Sequence, residues 1–228
     1  MLYIVATPIG NLEDITLRAI KTLQEVDYIA CEDTRHSLKL LQRYEIKKPL
    51  VSYHSHSGTH KQDQILDYLE AGKTVALISD AGTPGISDPA YKLVKEAIDR
   101  GIKVIPIPGA SAVLTALVAS GLHMHHFLYL GFLPLKKGRQ TLFKKLATSE
   151  YTMVVYESPH RILKTLTDIK TYMGNRKIAI GRELTKLHEQ FLHTDVEQAL
   201  EHFKKTAPKG EFTLVISAET NYNDQDSL

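Results

Sequence analysis

The stretch Val75-Ala76-Leu77-Ile78-Ser79-Asp80-Ala81-Gly82-Thr83-Pro84-Gly85-Ile86-Ser87-Asp88-Pro89 decides the fold. It opens as a short, unbroken apolar run, the pattern of a strand buried on both faces, here Val75–Ser79. It then breaks into a loop of small residues, glycine and proline, with an aspartate at its head. A helical pattern follows Pro89 and stops at Gly101. Strand, glycine-proline loop and helix in that order are the building unit of a parallel α/β sheet.

The same grammar extends on both sides. Leu2–Ala6, Tyr28–Cys31 and Val104–Ile107 are further buried-strand runs. Ile15, Ala19, Ile20, Leu23 and Val26 share one helical face, with Asp14 as the expected N-cap. Ile65, Leu66 and Leu69 mark another helix, ended by Gly72, and a third follows Glu32-Asp33. This βαβα order predicts a mainly parallel sheet. Beyond the punctuated stretch 121–126 the character changes. Phe127–Phe132, Tyr151–Tyr156, Lys177–Gly181, Glu189–Thr194 and Phe212–Ser217 read as strands, with helices near 138–147, 161–173 and 196–205. Two of these strands follow each other without a helix, which predicts a mixed sheet containing a hairpin. The expected organisation is an N-terminal α/β domain over 1–120, a C-terminal α/β domain over 121–220 and a polar tail over 221–228.

Ligands of open α/β sheets bind beyond the carboxyl ends of the strands. Three loops sit there: 6–11 after the first strand, 79–89 after the Val75 strand, and 106–112 after the Val104 strand. Their glycines and small residues let a backbone approach a bulky ligand, and their prolines hold its shape. None carries the dinucleotide fingerprint or the lysine-containing phosphate loop, so the ligand is not expected to be gripped by a pyrophosphate.

Composition sets bounds on the function. With 228 residues, 43% hydrophobic and 24% charged, the chain has the balance of an ordinary soluble protein. Cys31 is the only cysteine, which excludes an intrachain disulfide and fits a reducing, cytoplasmic compartment. It follows an apolar run and reads as a core residue rather than a reactive thiol. No segment reaches the ~20 apolar residues of a membrane span, and the first residues lack the marks of a signal peptide. The net charge of +2 does not by itself imply nucleic acid. The histidines at 54, 56 and 60 and at 123, 125 and 126 match no zinc spacing and have no cysteine partner, so no metal is expected.

Eight segments taken together carry a resemblance: 3–11, Glu32-Asp33-Thr34-Arg35, Ser52–His56, Ala76–Pro89, Pro108–Ser111, Gly131-Phe132-Leu133-Pro134, Tyr156–Arg161 and Arg182–Lys186. In this order they resemble the tetrapyrrole methylase superfamily, and within it the branch that modifies ribosomal RNA. The resemblance runs from Leu2 to about Ser217. It implies two α/β domains of the tetrapyrrole methylase type, with S-adenosylmethionine (SAM) in the cleft between them, and a homodimer. It also implies methyl transfer to the ribose 2′-hydroxyl of a decoding-centre cytidine in the RNA of the small ribosomal subunit. Carried over by position, the cofactor contacts are Thr7, Pro8, Ile9 and Gly10; Asp80, Ala81, Gly82 and Thr83; Ser111 and Ala112; and Tyr156, Leu184 and Phe212.

Ribose methylation needs a positioned hydroxyl, a proton acceptor and exclusion of water. Polar candidates cluster at Glu32, Asp33 and Arg35, at Glu157, His160 and Arg161, and at Arg182, Glu183, Lys186 and His188. Glu157, Arg182 and Glu183 are singled out for catalysis, with a carboxylate, a histidine or a lysine of lowered pKa all open as the base. An RNA surface needs grouped cations. The stretch Lys136-Lys137-Gly138-Arg139, followed by Lys144 and Lys145, supplies one group; Arg35 with its helix and Arg161 supply others. Few aromatics interleave these cations, which favours a reader of folded RNA over one of free single strands. Two alternatives stand beside this reading: methylation of a porphyrin-like ring or a diphthamide precursor, and a non-catalytic RNA-binding module that kept the fold.

Overall fold

The computed structural model describes residues 1–54, 58–88 and 90–218, with side chains throughout except at 58 and 59. His56, Pro89 and the polar tail of 221–228 lie outside the described residues. The chain divides into two compact units, Met1–Ser111 and Ala112–Leu228.

The first unit is a five-stranded sheet, all parallel, in the order β3-β2-β4-β1-β5. Its strands are β1 (Leu2–Val5), β2 (Tyr28–Cys31), β3 (Leu50–Ser52), β4 (Val75–Ile78) and β5 (Val104–Ile107). The unbroken apolar runs are explained by burial on both sides. Ala76, Ile78, Ile29 and Cys31 face one core with α1 (Leu17–Glu25) and α2 (Thr34–Arg43). Val75, Leu77 and Ala30 face the other core with α3 (Gly58–Glu70) and α4 (Ala90–Asp99). Pro106 falls within β5, an edge strand, where a missing N–H costs no ladder bond. Cys31 is fully buried and burial pushes its thiol pKa up, the setting of an inert core residue. The cap of α1 is Thr16, whose Oγ1 accepts from Ala19 N at 3.1 Å, not Asp14. Asp14 instead ends a short 3₁₀ turn over Leu12–Asp14 that intervenes before the helix.

The second unit is a mixed sheet in the order β6-β7-β10-β8-β9. Its strands are β6 (Phe127–Phe132), β7 (Thr152–Glu157), β8 (Lys177–Arg182), β9 (Gln190–Asp195) and β10 (Phe212–Ile216). β6 and β7 are parallel; β10 pairs antiparallel with β7 and β8, and β8–β9 is the expected hairpin. Met153, Val155, Ile178, Ile180 and Leu214 form one core with α6 (Arg139–Leu146), α7 (Ile162–Met173) and α8 (Val196–Lys205). The opposite face is covered by α5 (Ala112–Val118), which packs on β7, β8 and β10. This packing places the division of the chain before α5, not at residue 120, and makes 121–126 part of the second unit. There the Thr152 hydroxyl donates to the His123 carbonyl at 2.5 Å.

Candidate active-site loops and a basic surface

The parallel sheet of the first unit delivers four chain segments to its carboxyl edge: 6–11, 32–33, 79–88 and 108–111. Hydrogen bonds knit three of them together. Thr7 and Gly82 form an antiparallel bridge, with N–H to carbonyl distances of 2.9 and 3.1 Å in the two directions. The buried Thr7 hydroxyl donates to the Ser79 carbonyl at 3.0 Å, and the Ser79 hydroxyl to the Gly82 carbonyl at 3.2 Å. Thr83 Oγ1 reaches the Ala110 carbonyl at 3.4 Å. Gly82 holds φ at +78°, which side chains rarely adopt, and a Cβ there would stand 3.4 Å from Ile9 Cγ2. A Cβ on Gly109 would meet that of Ala6 at 3.0 Å. The loops therefore touch through backbone and the smallest side chains.

Asp80 heads the second loop. Its Oδ1 accepts from the Asp33 N–H at 3.2 Å. Its other oxygen has no hydrogen-bond partner among the described residues, which leaves it free to accept from a cationic or hydroxylated ligand. Ala81 is exposed, Thr7, Pro8 and Gly82 are buried, and Ile9, Asp80 and Thr83 are half-buried. This is a loop wall with one carboxylate oxygen and much backbone, able to accept from an amino or hydroxyl group of a ligand. Ser111 closes the first unit and Ala112 begins α5 in the second.

Glu32, at the end of β2, lines a small cavity of about 10 Å³ with Tyr53, Ser79, Pro84 and Asp88. Burial raises its carboxyl pKa, Asp80 and Asp88 raise it further, and His54 opposes them. Asp33 is the opposite case. It caps α2, and the Arg35 side chain and backbone N–H hold its pKa down at about 2. Arg35 itself projects into solvent.

The edge of the second sheet where β6, β7 and β8 end carries the other candidates. Glu157 is not a free base. Its buried side chain accepts from Thr165 Oγ1 at 2.6 Å and Ser158 N at 2.9 Å, and pairs with Arg161 Nε at 3.2 Å. A carboxylate so saturated and sealed from solvent is a structural group, which corrects its expected catalytic role. Arg139 is likewise corrected as an RNA contact. It is only 4% exposed, donating to Asp168 at 2.7 Å, to the Pro134 carbonyl at 3.0 Å and to Thr165 Oγ1 at 2.9 Å. Arg161 also turns inward, to Glu157 and the Leu133 carbonyl. Lys136 and Lys137 do project outward.

The loop after β8 is strained. Glu183 and Thr185 hold φ at +51° and +65° without being glycine, conformations that cost on the order of 1–3 kcal/mol each and gather at functional sites. Glu183 accepts from Glu211 N and Lys186 Nζ, both at 2.9 Å, and these bonds lower its pKa. Gly210 makes room for it: a Cβ there would lie 2.5 Å from Glu183 Cγ. Partial burial pulls the Lys186 pKa down, but its bonds to Glu183 and Glu211 outweigh that and the net shift is upward. This removes Lys186 as a lysine of lowered pKa. Arg182 Nε donates to the Lys209 carbonyl at 2.5 Å. Leu184 and Phe212 are buried, and Phe212 lies in β10, which pairs on both sides with β7 and β8. Tyr156 is half-buried against Tyr129 and Phe132, and burial drives its hydroxyl pKa well up.

Among the described residues, no group of three or more His, Cys, Asp or Glu is arranged to hold a metal ion, and no helix is long and apolar enough to cross a membrane.

Comparison with known proteins agrees with the loop pattern. The family model described as Tetrapyrrole (Corrin/Porphyrin) Methylases matches residues 1–200. A Synechocystis sp. protein named ribosomal RNA small subunit methyltransferase I is 51% identical over 222 residues, 96% of this chain and 80% of that protein. A Thermotoga maritima protein of the same name is 49% identical, over 96% of this chain and 98% of its own. Uroporphyrin-III C-methyl transferase from Thermus thermophilus, solved with S-adenosyl homocysteine, superposes with a TM-score of 0.67 at 19% identity, covering 96% of this chain and 97% of that one.

Proposed function

The chain belongs to the tetrapyrrole methylase family and is a SAM-dependent methyltransferase acting on ribosomal RNA, and from that premise we propose that its acceptor is the ribose 2′-hydroxyl of a decoding-centre cytidine in small-subunit (16S) RNA. The proposed substrate is the assembled small subunit, and the proposed working form is a cytoplasmic homodimer. The observation that carries the reading is the knitted wall of three strand-end loops, with Gly82 at its centre and an Asp80 oxygen that takes no bond among the described residues.

In this reading residues 7–10, 80–83 and Ser111 hold the cofactor. The cofactor supplies a methyl group on a sulfonium, an electrophile with a good leaving group already in place. What the chain must add is placement of the acceptor hydroxyl and removal of its proton. Glu183 is fixed as an anion by Glu211 N and Lys186, which suits it to orient a hydroxyl. Arg182, on the same loop, suits an adjacent phosphate. Glu32 has the better surroundings for accepting a proton, since burial and two neighbouring carboxylates favour its protonated form. Arg35, Lys136 and Lys137 are the outward cations available to phosphates.

The test is nucleoside mass spectrometry of small-subunit RNA from cells with and without the gene. Loss of a single 2′-O-methylcytidine supports the proposal; loss of a base methylation, or no change, overturns it. Transfer in vitro to naked RNA as readily as to isolated subunits would overturn the assembly-state part alone.

A further inference from the structure

The segment that links β6 to α6 is anchored inside and apolar outside. Leu133 is buried, while Phe132 and Leu135 on either side are 56% and 66% exposed. Lys136 and Lys137 follow, also exposed. Two arginine side chains anchor the connection inward. Arg161 donates to the Leu133 carbonyl and Arg139 to that of Pro134. Both arginines run into one buried network with Glu157, Thr165 and Asp168, in which the Thr165 hydroxyl accepts from Arg139 and donates to Glu157. Two cations meet two carboxylates, so the network buries no net charge. It is also closed: each charged group has a hydrogen-bond partner of opposite sign or a carbonyl.

Outside this anchor the Phe132 ring leans on Tyr156, with centroids 5.6 Å apart at 59°. One side of the ring is thus supported and the rest is presented to solvent, and the exposed Lys136 and Lys137 follow further along the same connection. An exposed planar apolar group with two exposed cations on the same connection matches an unpaired nucleotide, whose base offers a π-face and whose phosphates offer charge. Resting on the ribosomal RNA reading above, we propose that Phe132–Lys137 is a preorganised docking site for one unpaired nucleotide of the RNA substrate. Phe132 stacks on its base, Lys136 and Lys137 take the flanking phosphates, and Arg139 and Arg161 are positioning residues that hold the loop.

The test uses small ribosomal subunits from a strain lacking the gene. Methyl transfer gives kcat and KM, and filter binding of labelled small-subunit RNA gives affinity without reference to chemistry. Phe132→Ala is expected to raise KM and weaken RNA binding on the order of 5- to 150-fold, the range of one lost base stack. Its kcat and its affinity for S-adenosylhomocysteine stay within about twofold, a split expected when binding is lost and transition-state placement is not. Phe132→Trp restores binding and Phe132→Leu does not, because a planar face is needed rather than bulk. Joint reversal of Lys136 and Lys137 to Glu lowers the salt slope of binding by about 1.5. Arg139→Lys keeps the charge but breaks the fork, and its melting curve reports whether the unit stays folded. In the folded variant, KM rises with kcat unchanged, and adding Phe132→Ala costs less than it does alone.

Wild-type KM in Phe132→Ala, or full function in Phe132→Leu, would overturn the proposal. So would a Phe132→Ala protein whose defect tracks loss of dimer in sedimentation, or a wild-type loop that binds anionic lipid vesicles in preference to RNA. A wild-type enzyme that binds the RNA through Phe132 but methylates a different acceptor would overturn the proposed acceptor while supporting the docking site.

Discussion

Replacing Gly210 with alanine tests whether the strained loop after β8 is built around the Glu183 carboxylate. The new Cβ would lie 2.5, 2.6 and 2.7 Å from Glu183 Cγ, Cδ and Oε1, too close for any of them to stay. All three belong to one side chain and none to backbone, so the carboxylate swings away rather than the strand. That movement breaks its bonds to Glu211 N and Lys186 Nζ. Hydrogen bonds to a charged group contribute about 1.5–3 kcal/mol each when buried. The Glu183 side chain is 21% exposed, so solvent discounts the pair to roughly 1.5–2 kcal/mol in total. The φ of +83° at residue 210 adds about 1–2 kcal/mol for any residue with a Cβ. The expected destabilisation is about 2.5–4 kcal/mol in urea unfolding, with an unchanged m-value. In a Glu183→Ala background only the backbone part remains, so the same substitution costs about 1–2 kcal/mol. The double-mutant cycle therefore shows a coupling above about 1 kcal/mol. Additivity within about 0.5 kcal/mol would refute the reasoning, because the clash would then not act through Glu183.

Other substitutions probe the remaining elements. Glu32→Gln should lower methyl transfer on the order of 10²- to 10⁴-fold and abolish the acid limb of the rate profile, which in the wild type lies above the usual carboxylate range. The same variant should be more stable than wild type at neutral pH and equal to it in acid: a carboxyl whose pKa folding raises loses its stabilising contribution as pH climbs through the folded pKa; lower stability at neutral pH would show that its charge is wanted by the fold. Glu183 carries the opposite sign. Its lowered pKa gives stability that is present above about pH 4.5 and is lost as pH falls through the folded value, so Glu183→Gln should flatten the acid limb of the unfolding curve; an identical limb would contradict the assignment. Gly82→Ala, at φ +78°, should keep the fold at a cost of about 1–2 kcal/mol while S-adenosylhomocysteine shows no heat of binding in calorimetry; an undiminished heat would move the cofactor away from this loop.

The strands of the first unit were legible because a parallel sheet covered on both faces leaves unbroken apolar runs, and Val75–Ile78 is such a run. β3 was not. Three residues between Pro49 and Tyr53 give no periodicity to read. α5 was hidden for another reason. Ala112–Val118 is apolar on nearly every position and follows a proline-glycine turn, so it resembles a buried strand or a loop as much as a helix. Its omission shifted the expected domain boundary. At the site, glycine and proline marked the loops around Asp80 well, because close approach of backbones demands small residues. Charge was read less well. Lys136, Lys137 and Arg139 look equivalent in sequence, yet Gly138 turns the chain so that two cations face water and the third is sealed against Asp168. Two partners of Arg139, Asp168 and Thr165, arrive from α7, far along the chain, and Thr165 of the same helix also bonds the buried Glu157.

The order β3-β2-β4-β1-β5 also has a consequence during synthesis. β1 is the fourth strand across and pairs only with β4 and β5, whose partner residues begin at Val75 and Val104. β1 therefore has no sheet neighbour until about seventy further residues have been made, on the order of 4–14 s at ordinary elongation rates. For that interval Leu2-Tyr3-Ile4-Val5-Ala6 is an unpaired, apolar β-former in the nascent chain. The β8–β9 hairpin, in contrast, closes within microseconds of emerging. The second unit thus contains a strand pair that closes locally, whereas β1 of the first unit is exposed to chaperone capture while it waits for β4.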